Sequence, residues 1–259
     1  MGSAFTKTDW EFVRNRAISI KAQLRAKGQP VDHFLPGDFE PLPHIPMSQI
    51  EEFYSQTGYA FPNDFVDLVT KFAGGWRFYW SLCISQTPFK CLEPPVYLGN
   101  FGGSSEAPFI GASKDNTLLK IYGEFQRNLS QHYRRPSEQI EIDPALFPLN
   151  DFEGGEGDMT VMRLDRIPTE IHFLDHEGGH CVYEKDLIGL GFREFVLSWA
   201  DLGFPGCDYH RSWVNRQTHQ PDHLSAKANA WRAWLADPNA NGLVDSQGMD
   251  LPPQQRKEI

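Results

Sequence analysis

A chain of 259 residues that is 40% hydrophobic, with 19 Phe and 7 Trp, carries enough apolar area for one large buried core, which excludes a disordered chain. Its 24 basic residues against 34 acidic ones leave a formal charge of −10, which disfavours general affinity for nucleic acid or an anionic membrane and makes a basic partner the expected one. No apolar run approaches the roughly 18 residues of a membrane span, and the N-terminus lacks a basic stretch followed by an apolar one, so a cytoplasmic protein is expected.

Thr8-Asp9-Trp10-Glu11 reads as a capping box, and Trp10, Val13, Ala17, Ile20 and Leu24 follow at helical spacing up to Gly28 and Pro30. A proline-rich connector completes an N-terminal extension, residues 1–45. Ser48-Gln49-Ile50-Glu51 reads as a second capping box, opening a short helix with Ile50, Phe53 and Tyr54. After "TGYAFPND", a third helix carries Phe65, Leu68, Val69 and Phe72 and stops at Gly74-Gly75.

From Trp76 the aromatic and β-branched runs "WRFYWSLCI" and "PVYLG" read as strands. A helix fits Leu118, Ile121, Tyr122, Phe125 and Leu129; "MTVMRL", "EIHFLD" and "CVYE" are short strands; a helix with Phe192, Phe195, Val196 and Trp199 inward comes next. Helices mix with strands without βαβ alternation, which predicts a single α+β domain with a mostly antiparallel sheet flanked by helices, plus helical N- and C-terminal extensions. Residues 203–259 form the C-terminal extension, whose helix around 226–236 brings Trp231, Trp234 and Leu235 to the main domain.

Two stretches spell metal motifs. His176-Glu177-Gly178-Gly179-His180 matches the zinc-protease pattern H-E-x-x-H, which needs both imidazoles one helical turn apart with the Glu beside the attacking water. "EIHFL" before it and "CVYE" after it are strand-like, and two glycines each cost a helix about 1 kcal/mol, so a hairpin turn is the favoured reading and a zinc hydrolase a remote alternative. Asp237, Asn239, Asn241, Gly242 and Asp245 follow the spacing of an EF-hand loop, but Gly248 stands where the bidentate Glu belongs. The four cysteines, Cys83, Cys91, Cys181 and Cys207, show no C-x-x-C spacing and read as reduced thiols. No cofactor and no catalytic residue is expected.

The acidic segments are more informative. Asp151, Glu153, Glu156 and Asp158 lie in a glycine-rich stretch before one strand, and Asp175 and Glu177 lie between two later strands. If those strands pair, the carboxylates gather at one end of a sheet into a surface that steers a basic partner. Trp76, Phe78 and Trp80 are candidate aromatic anchors beside it, with core packing as the plainer account of each.

These pieces together resemble the SUKH superfamily, which includes fungal cell-wall-synthesis regulators and many bacterial immunity proteins. The resemblance is carried by Ile50-Glu51-Glu52-Phe53, Gly58-Tyr59, Phe61-Pro62-Asn63-Asp64-Phe65, Gly74-Gly75, Gly155, Gly157-Asp158, "IHFLDHE" at 171–177 and Phe192-Arg193-Glu194-Phe195-Val196, spanning about residues 46–202. It implies an α+β binding module without chemistry: an immunity or antitoxin-like protein that binds and inhibits a cognate secreted toxin domain, often one acting on nucleic acid. A non-enzymatic regulatory scaffold or secretion-associated adaptor is the alternative within binding proteins. The insertion "SQTPFKCLEPP" and the helix near Leu118 depart from the shorter typical domain.

Overall fold

The computed structural model describes residues 3–26, 39–78, 109–132, 143–149, 159–174, 186–204 and 213–237. They form a single α+β domain. In chain order it contains α1 (Lys7–Ala26), β1 (Glu40–Pro41), α2 (Met47–Thr57), α3 (Asn63–Lys71), β2 (Trp76–Arg77), α4 (Leu118–His132), β3 (Leu146–Pro148), β4 (Met159–Arg163), β5 (Glu170–Leu174), β6 (Leu187–Leu190), α5 (Phe192–Leu202), β7 (Val214–Asn215), β8 (Gln220–Pro221) and α6 (Ala226–Ala236).

α1 buries Val13, Ala17, Ile20 and Leu24, the stripe that the helical spacing marks out. Its capping box lies two residues earlier than the expected Thr8 box. The Thr6 backbone N–H donates to Asp9 Oδ2 at 2.8 Å and the Asp9 N–H to Thr6 Oγ1 at 3.2 Å. The box at Thr6 leaves Phe5 buried against Phe72 and keeps the Asp9 carboxylate where Arg193 reaches it.

α2 also starts ahead of its expected cap. Pro46, at φ −72° and ψ 150°, precedes Met47, and no side chain caps the helix. Gln49 instead turns inward, its Nε2 donating to the Ser113 carbonyl at 2.9 Å. The helix ends at Gly58, whose φ of 75° is the left-handed region that glycine enters without a Cβ clash. Past α3, Gly75 has φ +133°, and a Cβ there would stand 1.9 Å from the Phe109 carbonyl oxygen. That approach lets Trp76 and Phe109 exchange backbone hydrogen bonds of 3.1 and 2.8 Å.

The main sheet is an antiparallel meander in the order β3-β4-β5-β6. One face, through Phe147, Met162, Ile171, Phe173 and Ile188, joins the core shared with α1, α3 and α5. The other face, through Leu146, Met159, Val161 and Leu174, packs on Phe125 of α4. With helices on both faces the strands lose the apolar–polar alternation that marks a half-buried strand. β3 and β6 escape the sequence reading for that reason, and β6 also contains Gly189, where a Cβ would stand 2.6 Å from the Phe195 ring. The expected strands "PVYLG" and "CVYE" lie outside the described residues.

The C-terminal helix α6 closes on the same core. Ser225 caps it by accepting the Ala228 N–H at 3.1 Å, and Trp231 Nε1 donates to the Leu202 carbonyl at the end of α5 at 2.8 Å. Asp201 ties the seam: its carboxylate meets Arg232 at 2.7 Å and His223 at 3.1 Å, while Arg16 of α1 donates to its backbone carbonyl at 3.0 Å. One continuous core runs from Phe5 to Leu235.

Candidate partner-binding surface

Strand register decides where the acidic segments attach. The Leu149 N–H bonds the Thr160 carbonyl at 2.9 Å, Met159 is the Cα partner of Leu174, and His172 that of Leu187. The chain therefore leaves the sheet at Leu149, returns at Met159, leaves at Leu174 and returns at Leu187, all at one end. Residues 150–158 hold four carboxylates and no Lys or Arg. Asp158 is bonded to Met159 and Asp175 to Leu174, two residues that sit directly opposite one another across adjacent strands. Asp151, Glu153, Glu156, Asp158, Asp175, Glu177 and Trp80 themselves lie outside the described residues.

At the other end of the sheet Arg163 is matched by carboxylates of the chain itself. Arg163, the last residue of β4, donates to Asp165 at 3.0 Å and pairs with Asp143 at 3.0 Å. The Asp165 hydrogen bond, partly opposed by burial, holds the guanidinium pKa above its ordinary value, so Arg163 stays charged and engaged with its own carboxylates. On the same sheet face, buried His172 meets Glu170 at 3.0 Å.

Trp76 is not a surface anchor. It is 0% exposed, with its ring among Phe109 at 4.3 Å, Phe39 at 6.0 Å, Trp10 at 6.1 Å and Phe204 at 6.3 Å. An aromatic strand reads alike whether it packs inward or faces solvent, and here β2 is sealed under α1 and the Phe109 bridge. Phe78, 2% exposed, is core as well.

The structure also assembles a polar junction at the starts of three helices, formed by residues not proposed as a site. Asp64 of α3 accepts the Arg193 backbone N–H at 2.8 Å, capping the first turn of α5. The Arg193 side chain turns to Asp9, with contacts of 2.7 and 2.9 Å. Burial raises the Asp9 pKa, but hydrogen bonds from Arg193 and Thr6 outweigh it and leave that carboxyl below its usual range. For Asp64 burial dominates and lifts the pKa, against the backbone N–H groups of Arg193, Phe65 and Asp64 itself that lower it. Asp64 and Arg193 both stand in segments that carry the SUKH resemblance, which was the available signal; the pairing with Asp9 had none. The positive ends of the three helices meet carboxylates of the chain itself, so the junction is an internal staple.

His176, Glu177 and His180 lie outside the described residues, as do Asn239, Asn241, Gly242 and Asp245; Asp237 is the C-cap of α6. Among the described residues no three His, Cys, Asp or Glu side chains converge as metal ligands. No described helix is long and apolar enough to cross a membrane. Comparisons with protein-family models, curated proteins and solved structures return no match to this chain.

Proposed function

We propose that the chain is an immunity protein of SUKH type, which binds a cognate secreted toxin domain and blocks it without chemistry. The observation that carries this reading is the meander register. Both acidic segments depart from one end of the packed sheet, while at the opposite end Arg163 is paired with Asp143 and Asp165. A local excess of carboxylates attached to a packed scaffold suits a basic protein surface, such as the cleft of an enzyme acting on nucleic acid. The formal charge of −10 adds long-range attraction of the same sign.

The test is co-expression with the C-terminal domain encoded by the reading frame directly upstream. The expected result is relief of that domain's toxicity and a single complex on size exclusion. Association should slow by about tenfold or more between low and high salt while dissociation stays nearly constant. Replacing Asp158 and Asp175 by Asn should lower the association rate. No complex and no protection would overturn the reading.

A further inference from the structure

The outer face of α2 exposes what the fold itself does not need. The inner face is anchored by Phe53, 0% exposed, against Phe61 at 4.3 Å, Tyr122 at 5.4 Å and Phe147 at 5.8 Å. Met47 and Tyr54 point the other way, 48% and 57% exposed, with exposed Glu51 between them. Positions i, i+4 and i+7 fall on one stripe of a helix. One exposed hydrophobic needs no explanation, but two on a single stripe, of the types enriched in interface cores, form a contact patch.

Charge identifies the occupant. Residues 40–70 contain no Lys or Arg. Of the five carboxylates in that stretch, Glu40 pairs with Arg77, Asp67 pairs with Lys71 and Asp64 is buried as the α5 cap. Glu51 and Glu52 remain exposed, and among the described residues neither forms an ion pair. They repel phosphate and anionic lipid. A second copy of the chain fits no better, because a two-fold contact centred between Met47 and Tyr54 would set Glu51 against its own copy.

We propose that the Met47-Glu51-Tyr54 stripe is a second docking face, for an apolar surface rimmed with Lys or Arg on the same protein partner; this rests on reading the chain as the binder of a basic toxin domain. The stripe lies close to the acidic end, since Phe53 on its inner side packs edge-on against Phe147, two residues before the chain leaves the sheet at Leu149. Tyr54 supplies the desolvated anchor, and Glu51 and Glu52 supply the charged rim.

The experiment measures binding of the full chain to the domain encoded directly upstream, with Tyr54→Ala, the pair Glu51→Lys and Glu52→Lys, and Leu224→Ala as an exposed control. Tyr54→Ala should raise the dissociation rate by about tenfold with association unchanged. The charge reversal should lower the association rate by about tenfold at low salt, a difference that vanishes at high salt. Leu224→Ala should change neither, and all variants should melt with the wild type. If the wild type binds and the α2 variants bind equally well, the second face is overturned while the proposed function stands. If the wild type does not bind, both fall. A chain that is dimeric alone and becomes monomeric in the α2 variants would make the stripe a self-contact and overturn the proposal.

Discussion

Asp9 performs two tasks with one carboxylate: it closes the capping box of α1 and holds the Arg193 guanidinium. With its side chain 8% exposed, removing the charge leaves Arg193 without its partner. Asp9→Asn should cost about 2 kcal/mol at neutral pH, read as a shift of the urea midpoint. Because the folded pKa lies below the ordinary value of about 3.9, the contribution is complete above that value and is lost as pH falls through the folded one. The gap between wild type and variant should therefore close in acid. Asp64 has the opposite sign. Its raised folded pKa makes the native state take up a proton before the unfolded chain does, so this residue favours folding as pH falls from neutrality towards about 4. Asp64→Asn should remove that rise from the pH–stability curve, leaving the acid loss due to Asp9. The pairing of Asp9 with Arg193 was not legible beforehand, because a lone Asp near a helix start says nothing about an Arg 184 positions away.

At the scale of elements, the helices were legible and their starts were not. Apolar spacing gave α1, α3 and α5 their inward residues, since a 3.6-residue period shows in sequence whatever the helix packs on. The caps depended on tertiary contacts. Thr6-x-x-Asp9 and Thr8-x-x-Glu11 are equivalent in spelling, and the burial of Phe5 with the reach of Arg193 selects the first. Thr6→Ala should cost about 1 kcal/mol and exposed Thr8→Ala less than about 0.5, a pair that one set of thermal melts resolves. The glycine pair after α3 was read only as a helix stop. Its larger task is the close passage beneath Phe109, so Gly75→Ala should cost about 3 kcal/mol or more, and equal stability would show that the backbone at Phe109 moves aside freely.

For the whole molecule, the candidate surface was legible as composition but not as geometry. Carboxylates are countable in the chain, whereas their common origin at one sheet end needs the pairing of Met159 with Leu174. The division into a central domain of residues 46–202 and two extensions follows the resemblance, yet the packing crosses both boundaries. α1 packs along α5, and a Cβ at Gly203 would stand 2.0 Å from Ile20 Cδ1. α6 bonds the end of α5 through Trp231 and Asp201. A fragment of residues 46–202 would lose Val13, Ala17, Ile20, Leu24, Trp213, Trp231 and Leu235 from the core, each at most 2% exposed in the full chain. At about 2 kcal/mol for each of the six large apolar side chains among them, that loss is about 12 kcal/mol, comparable with the whole stability of an ordinary domain, about 5–15 kcal/mol, even before Arg193 is deprived of Asp9. The full chain should therefore unfold in one cooperative transition by calorimetry, and the fragment should show none, bind a hydrophobic dye and aggregate. A fragment that melts cooperatively near the temperature of the full chain would mean that the extensions decorate the core and do not complete it.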